Sequence, residues 1–291
     1  MSFLNILESI KPSLQQKHLD KLKQTPFWTF FDACNRGLIT KKEHRKSDQQ
    51  IHQILSLYDT RTHKFKIGGR FEAIEVEDVA QMFGLPSHGK EVQIDNYGCT
   101  RSDSSFVKRC FSEDIRVTKK EAENALTKAL QADRTDDVVR LIVILMLTII
   151  FFANSGYTLA WNLISPIENI KKMKSFAWAR AIRDFLRNNL RNSPQGSSVS
   201  GCVIMILVRN YIFQFFINII LQYVDMIVTI SLFIVSSQYW FCEKTRVIKP
   251  IEGRENMSPT IVKWDLLKLI AALRKTKLAD IKVKISILIK L

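Results

Sequence analysis

The chain has 291 residues, 46% of them apolar and 24% charged, with few glycines and prolines, which excludes a disordered or collagen-like protein. The formal net charge of +15 favours nucleic acid, an anionic membrane or acidic protein partners, although a merely soluble basic surface has the same composition. Five cysteines without paired spacing argue against a disulfide framework and indicate a reducing compartment. The polar first ten residues do not resemble a secretory signal.

Residues 1–50 are predicted to form an N-terminal helical region. Leu14–Phe31 has amphipathic spacing, and Pro26 should kink or divide the helix. Residues 41–50 are a charged connector or the start of a helix, and the apolar residues of Ile51–Tyr58 recur at helical spacing.

The residue pattern of Phe65–Val92 predicts a complete structural unit. Apolar positions flank Gly68-Gly69, which predicts a strand, a turn and a strand. Acidic residues at 75–78 then favour a helix N-terminus, and Gly84-Leu85-Pro86 should end that helix. The unit resembles the hairpin, the "EDV" helix and the "GLP–G–V" turn of the plant mobile domain, also called the aminotransferase-like mobile domain. That resemblance implies association with transposable elements, in a family sometimes fused to a Ulp1-type cysteine protease.

Three elements are predicted downstream. Asp95–Glu113 is polar and is predicted to be a loop. Val117–Ala132 should be a helix that begins with a capping box made by Thr118 and Glu121. Val138–Ala153 is almost wholly apolar but short for a membrane span, so it is predicted to be a buried core helix.

Pro166–Asn192 is the clearest amphipathic helical region. Its arginines recur at steps of three and four residues and should line one helix face: Arg180, Arg183, Arg187 and Arg191. Such a stripe could neutralise phosphates and is the predicted nucleic-acid-binding site, with a solvated face as the alternative. Trp178 and Phe176 could add base stacking, although their spacing suits a core better.

The plant mobile domain resemblance extends through this region and covers roughly Gln50 to Cys202. Its matching residues are Phe152, Asn154, Ser155, Gly156, Trp161, Leu163, Ala177, Trp178, Ala179, Phe185 and Leu186. Ser200-Gly201-Cys202 resembles the "SGC" that opens the family's next core helix, and Tyr239–Thr245 resembles its later "W–YE-T" motif.

Residues 208–238 separate these two motifs and are predicted to be a foreign hydrophobic insert. The segment contains no glycine, proline or lysine, and its first two residues, Val208 and Arg209, can be encoded by the splice-donor sequence GTAAGG. Its last residue, Gln238, can be encoded by the acceptor triplet CAG. We interpret the segment as translated intron. The alternative is a membrane-spanning helix near 211–235, which Asp225 disfavours.

Other chemistry is not indicated. Residues 84–90 nearly match a phosphate-binding loop, but Glu91 replaces the Mg²⁺-binding hydroxyl and Pro86 lacks an N–H, so we interpret them as a structural turn. All five histidines precede residue 89, and no cysteine downstream has the sequence context of a Ulp1-type nucleophile. No metal-ligand spacing is present, and we assign no cofactor, including pyridoxal phosphate.

The predicted fold is a mainly α, helical globular domain with one small β-hairpin. It comprises the helical region 1–50, a mobile-domain-like core at 51–207, the insert, and a continuation at 239–291 that we expect to be truncated. That last part should contain an amphipathic helix over Thr260–Arg274 and an edge strand near the end. By resemblance, the function is a non-catalytic, transposon-derived module that contacts nucleic acid or protein partners in the nucleus. The alternatives are a membrane-anchored protein and a protease-less fragment of a Ulp1-type transposon protein.

Overall fold

A computed structural model describes residues 3–40, 56–94, 101–111, 116–153, 158–191, 239–275 and 281. Among these the helices are α1 (Phe3–Ile10), α2 (Gln16–Leu22), α3 (Trp28–Asn35), α4 (Val76–Phe83), α5 (Ser105–Cys110), α6 (Lys119–Gln131), α7 (Thr135–Met146), α8 (Trp161–Glu168), α9 (Trp178–Arg191) and α10 (Leu266–Lys275). The strands are β1 (Tyr58–Asp59), β2 (Lys64–Ile67), β3 (Arg70–Glu72), β4 (Arg116–Thr118) and β5 (Thr158–Ala160). The mainly α fold is therefore confirmed.

Helix α7 is the centre of the core. It is followed by a π-helical turn, Leu147–Phe151, and every residue from 137 to 153 is buried except Arg140. Helices α2, α6 and α8 pack against it. A helix that is apolar on all sides is stable in water only when neighbours surround it, as they do here. The prediction of a buried core helix over Val138–Ala153 is confirmed.

The start of α7 is held by a buried carboxylate. Asp137 is 2% exposed and lies 3.0 Å from both Arg109 and Arg140, with Arg134 at 3.6 Å. Carboxylates near a helix N-terminus are stabilised by the helix dipole. This arginine cluster also contains Asp136 and Glu168, so its charges balance, and we interpret it as structural.

Several local predictions are confirmed by the helix ends. Thr118 caps α6 and forms the capping box with Glu121. Pro26 lies between α2 and α3, which divides the predicted Leu14–Phe31 helix in two. Gly84 ends α4 with a left-handed φ of +70°.

The predicted hairpin is part of a three-stranded antiparallel sheet in the order β1-β2-β3. In its register Phe65 lies opposite both Tyr58 and Glu72. The helical prediction for Ile51–Tyr58 is wrong at Tyr58, which lies in β1, because pairing with β2 buries its ring beside Phe65. Residues 41–55 lie outside the described part. A second sheet, β4-β5, was not predicted.

Three further predictions need correction. The predicted loop Asp95–Glu113 contains α5, because Ser104 caps it and Phe106 and Val107 are buried. The predicted helical region Pro166–Asn192 is three pieces: the end of α8, a 3₁₀ turn at Ile170–Ser175, and α9. The predicted Thr260–Arg274 helix divides into a 3₁₀ turn, Thr260–Lys263, and α10.

Residues 239–245 are helical and complete the core beside the hairpin unit. The rings of Trp240 and Phe65 are 4.9 Å apart, and Trp240 Nε1 donates to Asp78 Oδ2 at 3.1 Å. Lys244 pairs with the same carboxylate at 3.1 Å. These residues are therefore part of the core, and their role as a continuation of the domain after an insert stays a prediction. Residues 192–238, which include the predicted insert and the alternative membrane span, lie outside the described part.

Candidate nucleic-acid interface

Helix α9 presents the predicted arginines on one face. Arg180, Arg187 and Arg191 are exposed, whereas Arg183 keeps only 14% of its side chain exposed. The opposite face is apolar, with Ile182, Leu186 and Leu190 buried. The core therefore fixes the rotation of the helix, and the arginine face is directed away from it.

Three of these arginines have no direct ion-pair partner among the described residues. Within the described ranges, Arg180, Arg187 and Arg191 form no ion pair, and Asp184 is paired with Arg183 at 2.9 Å. Guanidinium groups four residues apart on a helix repel one another, so the stripe carries positive charge that the described fold does not neutralise. An anion would relieve that repulsion.

A cleft of about 130 Å³ separates α9 from the three-stranded sheet. Arg183 and Arg187 line one wall, Tyr58, His63 and Lys64 line the other, and Glu75 is also present. The hydroxyl of Tyr58 lies 3.4 Å from His63 Nδ1. Burial raises the pKa of Tyr58, while Arg191 and Arg187 partly oppose that shift.

The sequence prediction identified only one wall of this cleft. Tyr58, His63 and Lys64 are more than a hundred residues from α9 in the chain, and no local pattern links them to it. The alternation in β2, with Lys64 and Lys66 exposed and Phe65 and Ile67 buried, was the available signal for a basic sheet face.

The aromatic residues next to the stripe do not extend the surface. Trp178 is fully buried, donates its ring N–H to the Met173 carbonyl at 2.8 Å, and packs against Phe27 at 5.0 Å. Phe176 is half-buried and packs on the core. The core position that the spacing of Trp178 and Phe176 favours is therefore confirmed, and the buried Trp178 ring is not available for base stacking.

The loop at residues 84–90, which resembles a phosphate-binding loop, forms backbone hydrogen bonds with the segment at the start of α9. Lys90 N–H donates to Ser175 O at 2.7 Å, and its carbonyl accepts from Ala177 N–H at 2.9 Å. Pro86 O accepts from Ala179 N–H at 3.0 Å. Gly89 lies so close to this strip that an added Cβ would overlap the Ser175 carbonyl oxygen. The loop positions α9.

No metal site and no membrane-spanning helix competes with this interface among the described residues. Among the described residues no group of three or more His, Cys, Asp or Glu is arranged to hold a metal ion. None of the helices that the structure describes combines the length and apolarity needed to cross a membrane. Burial raises the pKa values of Cys34 and Cys242, and raises that of Cys110 to about 11.

Comparison with known proteins finds one family that matches the part of the chain containing the stripe and the cleft. Residues 36–207, more than half of the chain, match a domain of unknown function, DUF8566. The chain belongs to the DUF8566 family. The DUF8566 region contains both walls of the cleft and the whole stripe, and it ends one residue before the predicted insert. No curated protein and no solved structure matches the chain.

Proposed function

We propose that the protein is a non-catalytic module that contacts the nucleic-acid backbone through the arginine stripe of α9. The observation that carries this proposal is the unneutralised charge of Arg180, Arg187 and Arg191 on one exposed helix face. Lysine and arginine side chains that neutralise phosphates displace condensed counterions, which makes binding strong at low salt and poor in sequence preference. A transposon-derived origin similar to the plant mobile domain, and a nuclear location, remain part of the proposal through the sequence resemblance.

The chemistry of the described residues supports a non-catalytic role. A nucleophilic cysteine needs a lowered pKa, and burial raises the pKa of each described thiol. The loop at 84–92 uses its backbone groups to hold the start of α9, which leaves Lys90 N–H engaged with Ser175. Phosphate-binding loops need such N–H groups free.

The test is the salt dependence of DNA binding by the full chain. Wild type should bind single- and double-stranded oligonucleotides with an affinity that falls steeply with salt. The triple reversal R180E/R187E/R191E should weaken binding and reduce the slope of log K against log salt by about 2–3, roughly one for each phosphate contact.

A matched control separates a local effect from net charge. Arg116, Lys120 and Lys128 are exposed cations on β4 and α6. The variant R116E/K120E/K128E changes the net charge by the same amount and should retain most of the slope. Equal slopes in the two triple variants would reject a specific role for the stripe.

A further inference from the structure

The α9 wall of the cleft holds the guanidinium groups of Arg183 and Arg187, and Arg183 has a buried nitrogen that lacks a hydrogen bond in the described part of the chain. Arg183 Nε lies 2.9 Å from Asp184 Oδ1, but the direction does not make a hydrogen bond, and this buried nitrogen has no other partner among the described residues. Arg187 lines the same cleft one turn later. Like charges at this helix spacing destabilise the free protein, and an anion between them would remove that repulsion.

The sheet wall adds donors around the same space. Lys64 contributes a third cation, and His63 and Tyr58 lie beside it. Because burial raises the pKa of Tyr58, its hydroxyl stays protonated at neutral pH and is able to donate to an anion. Glu75 is the one carboxylate among the described residues that line the cleft, and Asp184 pairs with Arg183 beside it, so the three cations leave one net positive charge.

The volume of the cleft limits the size of the group that can bind in it. At about 130 Å³ the cleft is smaller than the roughly 300 Å³ at which pockets begin to enclose whole small molecules. It suits a single phosphate group. An internal phosphodiester carries a sugar on both sides, whereas a terminal phosphate is attached on one side only and carries more charge.

We infer that this cleft binds the terminal phosphate of a nucleic-acid strand. The inference rests on the proposed function, since the strand would continue from the mouth of the cleft at Arg187 along the stripe to Arg191. The cleft would then select strand ends, while the stripe alone binds any phosphate backbone. Charge-assisted hydrogen bonds are the strong class for this recognition.

The experiment compares single-stranded oligonucleotides of one sequence that carry a 5′-phosphate, a 3′-phosphate or only hydroxyl ends. The full chain should bind one phosphorylated form roughly tenfold more tightly than the hydroxyl form. Arg183→Gln should abolish that ratio. Arg180→Gln, on the same helix but outside the cleft, should weaken binding to both ends alike and keep the ratio. Lys64→Gln, at an exposed strand position, should lower the ratio without disturbing the partly buried Arg183.

The outcomes separate the two proposals. If no oligonucleotide binds, the proposed function fails, and the inference fails with it. If all three forms bind with equal affinity, the stripe is supported and the terminal-phosphate site is overturned. A phosphoserine peptide that binds in an Arg183-dependent manner, while strand ends make no difference, would also overturn the assignment to nucleic acid.

Discussion

Gly89 shows how one residue determines the position of the arginine stripe. Its φ of +134° is rare for side chains, and its Cα lies against the carbonyl of Ser175 just before α9. The loop and the start of α9 are joined there by backbone hydrogen bonds of Lys90. A side chain at this position has to separate the two segments.

Gly89→Ala should therefore lower the free energy of unfolding by about 3 kcal/mol or more, because backbone strain and overlap add. Gly69→Ala is the matched control: Gly69 also has a positive φ, of +81°, but an added Cβ would meet nothing within 4 Å. Gly69→Ala should lower the free energy of unfolding by about 1 kcal/mol. Urea denaturation followed by circular dichroism measures both, and equal losses would contradict the role assigned to Gly89.

His18 should make stability depend on pH. It is buried, its Nδ1 accepts the Gln15 N–H at 3.0 Å, and Nε2 forms no hydrogen bond with any described residue. Burial, with a smaller contribution from Lys17 and against the influence of Asp133, lowers its pKa below the ordinary 6.5. The folded state therefore takes up a proton less readily than the unfolded state.

The stabilisation from neutral His18 is present above pH 6.5 and is lost as the pH falls from 6.5 through the lowered folded-state pKa. His18→Gln keeps a side chain that can accept the Gln15 N–H and should reduce the loss of melting temperature over this range. His88→Gln, at an exposed histidine, is the control and should keep the wild-type profile. Parallel curves of melting temperature against pH for wild type and His18→Gln would contradict the prediction.

At the scale of elements, Asp78 joins helix α4 to residues 239–245. It accepts from Glu75 N–H at 2.9 Å as part of the N-terminal capping box and from Trp240 Nε1 at 3.1 Å, and it pairs with Lys244. One carboxylate thus serves both a helix start and a contact between segments that are 162 residues apart.

Asp78→Ala should lower the free energy of unfolding by about 2–4 kcal/mol, since it removes a cap and leaves the buried Trp240 N–H unpaired. Glu77→Ala, an exposed acidic residue in the same turn, should change it by less than about 0.5 kcal/mol. A double-mutant cycle with Trp240→Phe should give a coupling energy of about 0.5–3 kcal/mol. A coupling near zero would show that the hydrogen bond contributes nothing.

The predictable elements are those whose determinants lie close together in sequence. The Thr118 capping box, the Gly84 helix end and the apolar run of α7 need only short windows, and all three were predicted correctly. Helix α5 was missed because six residues are too few for a periodic pattern, and burial of Phe106 and Val107 by distant segments adds to its Ser104 cap. Pairing of β4 with β5, across about forty residues, was missed for the same reason.

The candidate site also has one part that short sequence windows predict and one part that depends on distant contacts. The arginine stripe follows from helical periodicity within α9, so the sequence was sufficient. The cleft requires α9 to meet the β1-β2 sheet, and it requires Arg183 to be mostly buried while its neighbours stay exposed. Neither property has a short-range signature.

For the whole molecule, the insert hypothesis makes a direct prediction. The DUF8566 match ends at Leu207, and residues 239–242 are buried in the core. Deleting 208–238 leaves sixteen residues, 192–207, between Arg191 and Tyr239, which can span about 50 Å, comparable to the diameter of a domain of this length.

The variant lacking 208–238 should therefore keep the helical circular dichroism spectrum and unfold cooperatively at a temperature at least equal to that of wild type. The larger deletion of 208–245, which also removes Trp240, should abolish cooperative unfolding. Loss of the fold in the smaller deletion would show that the segment belongs to the domain. Spliced transcripts that uniformly retain it would point the same way.

The contact between Asp78 and Trp240 has a consequence for synthesis in the cell. At about 5–20 residues per second, a ribosome needs roughly ten to thirty seconds to make the 162 residues between these partners. The side of Phe65 that packs on Trp240 lacks that partner for this time. The nascent chain should therefore be a substrate for chaperones that hold apolar surface until the last segment emerges.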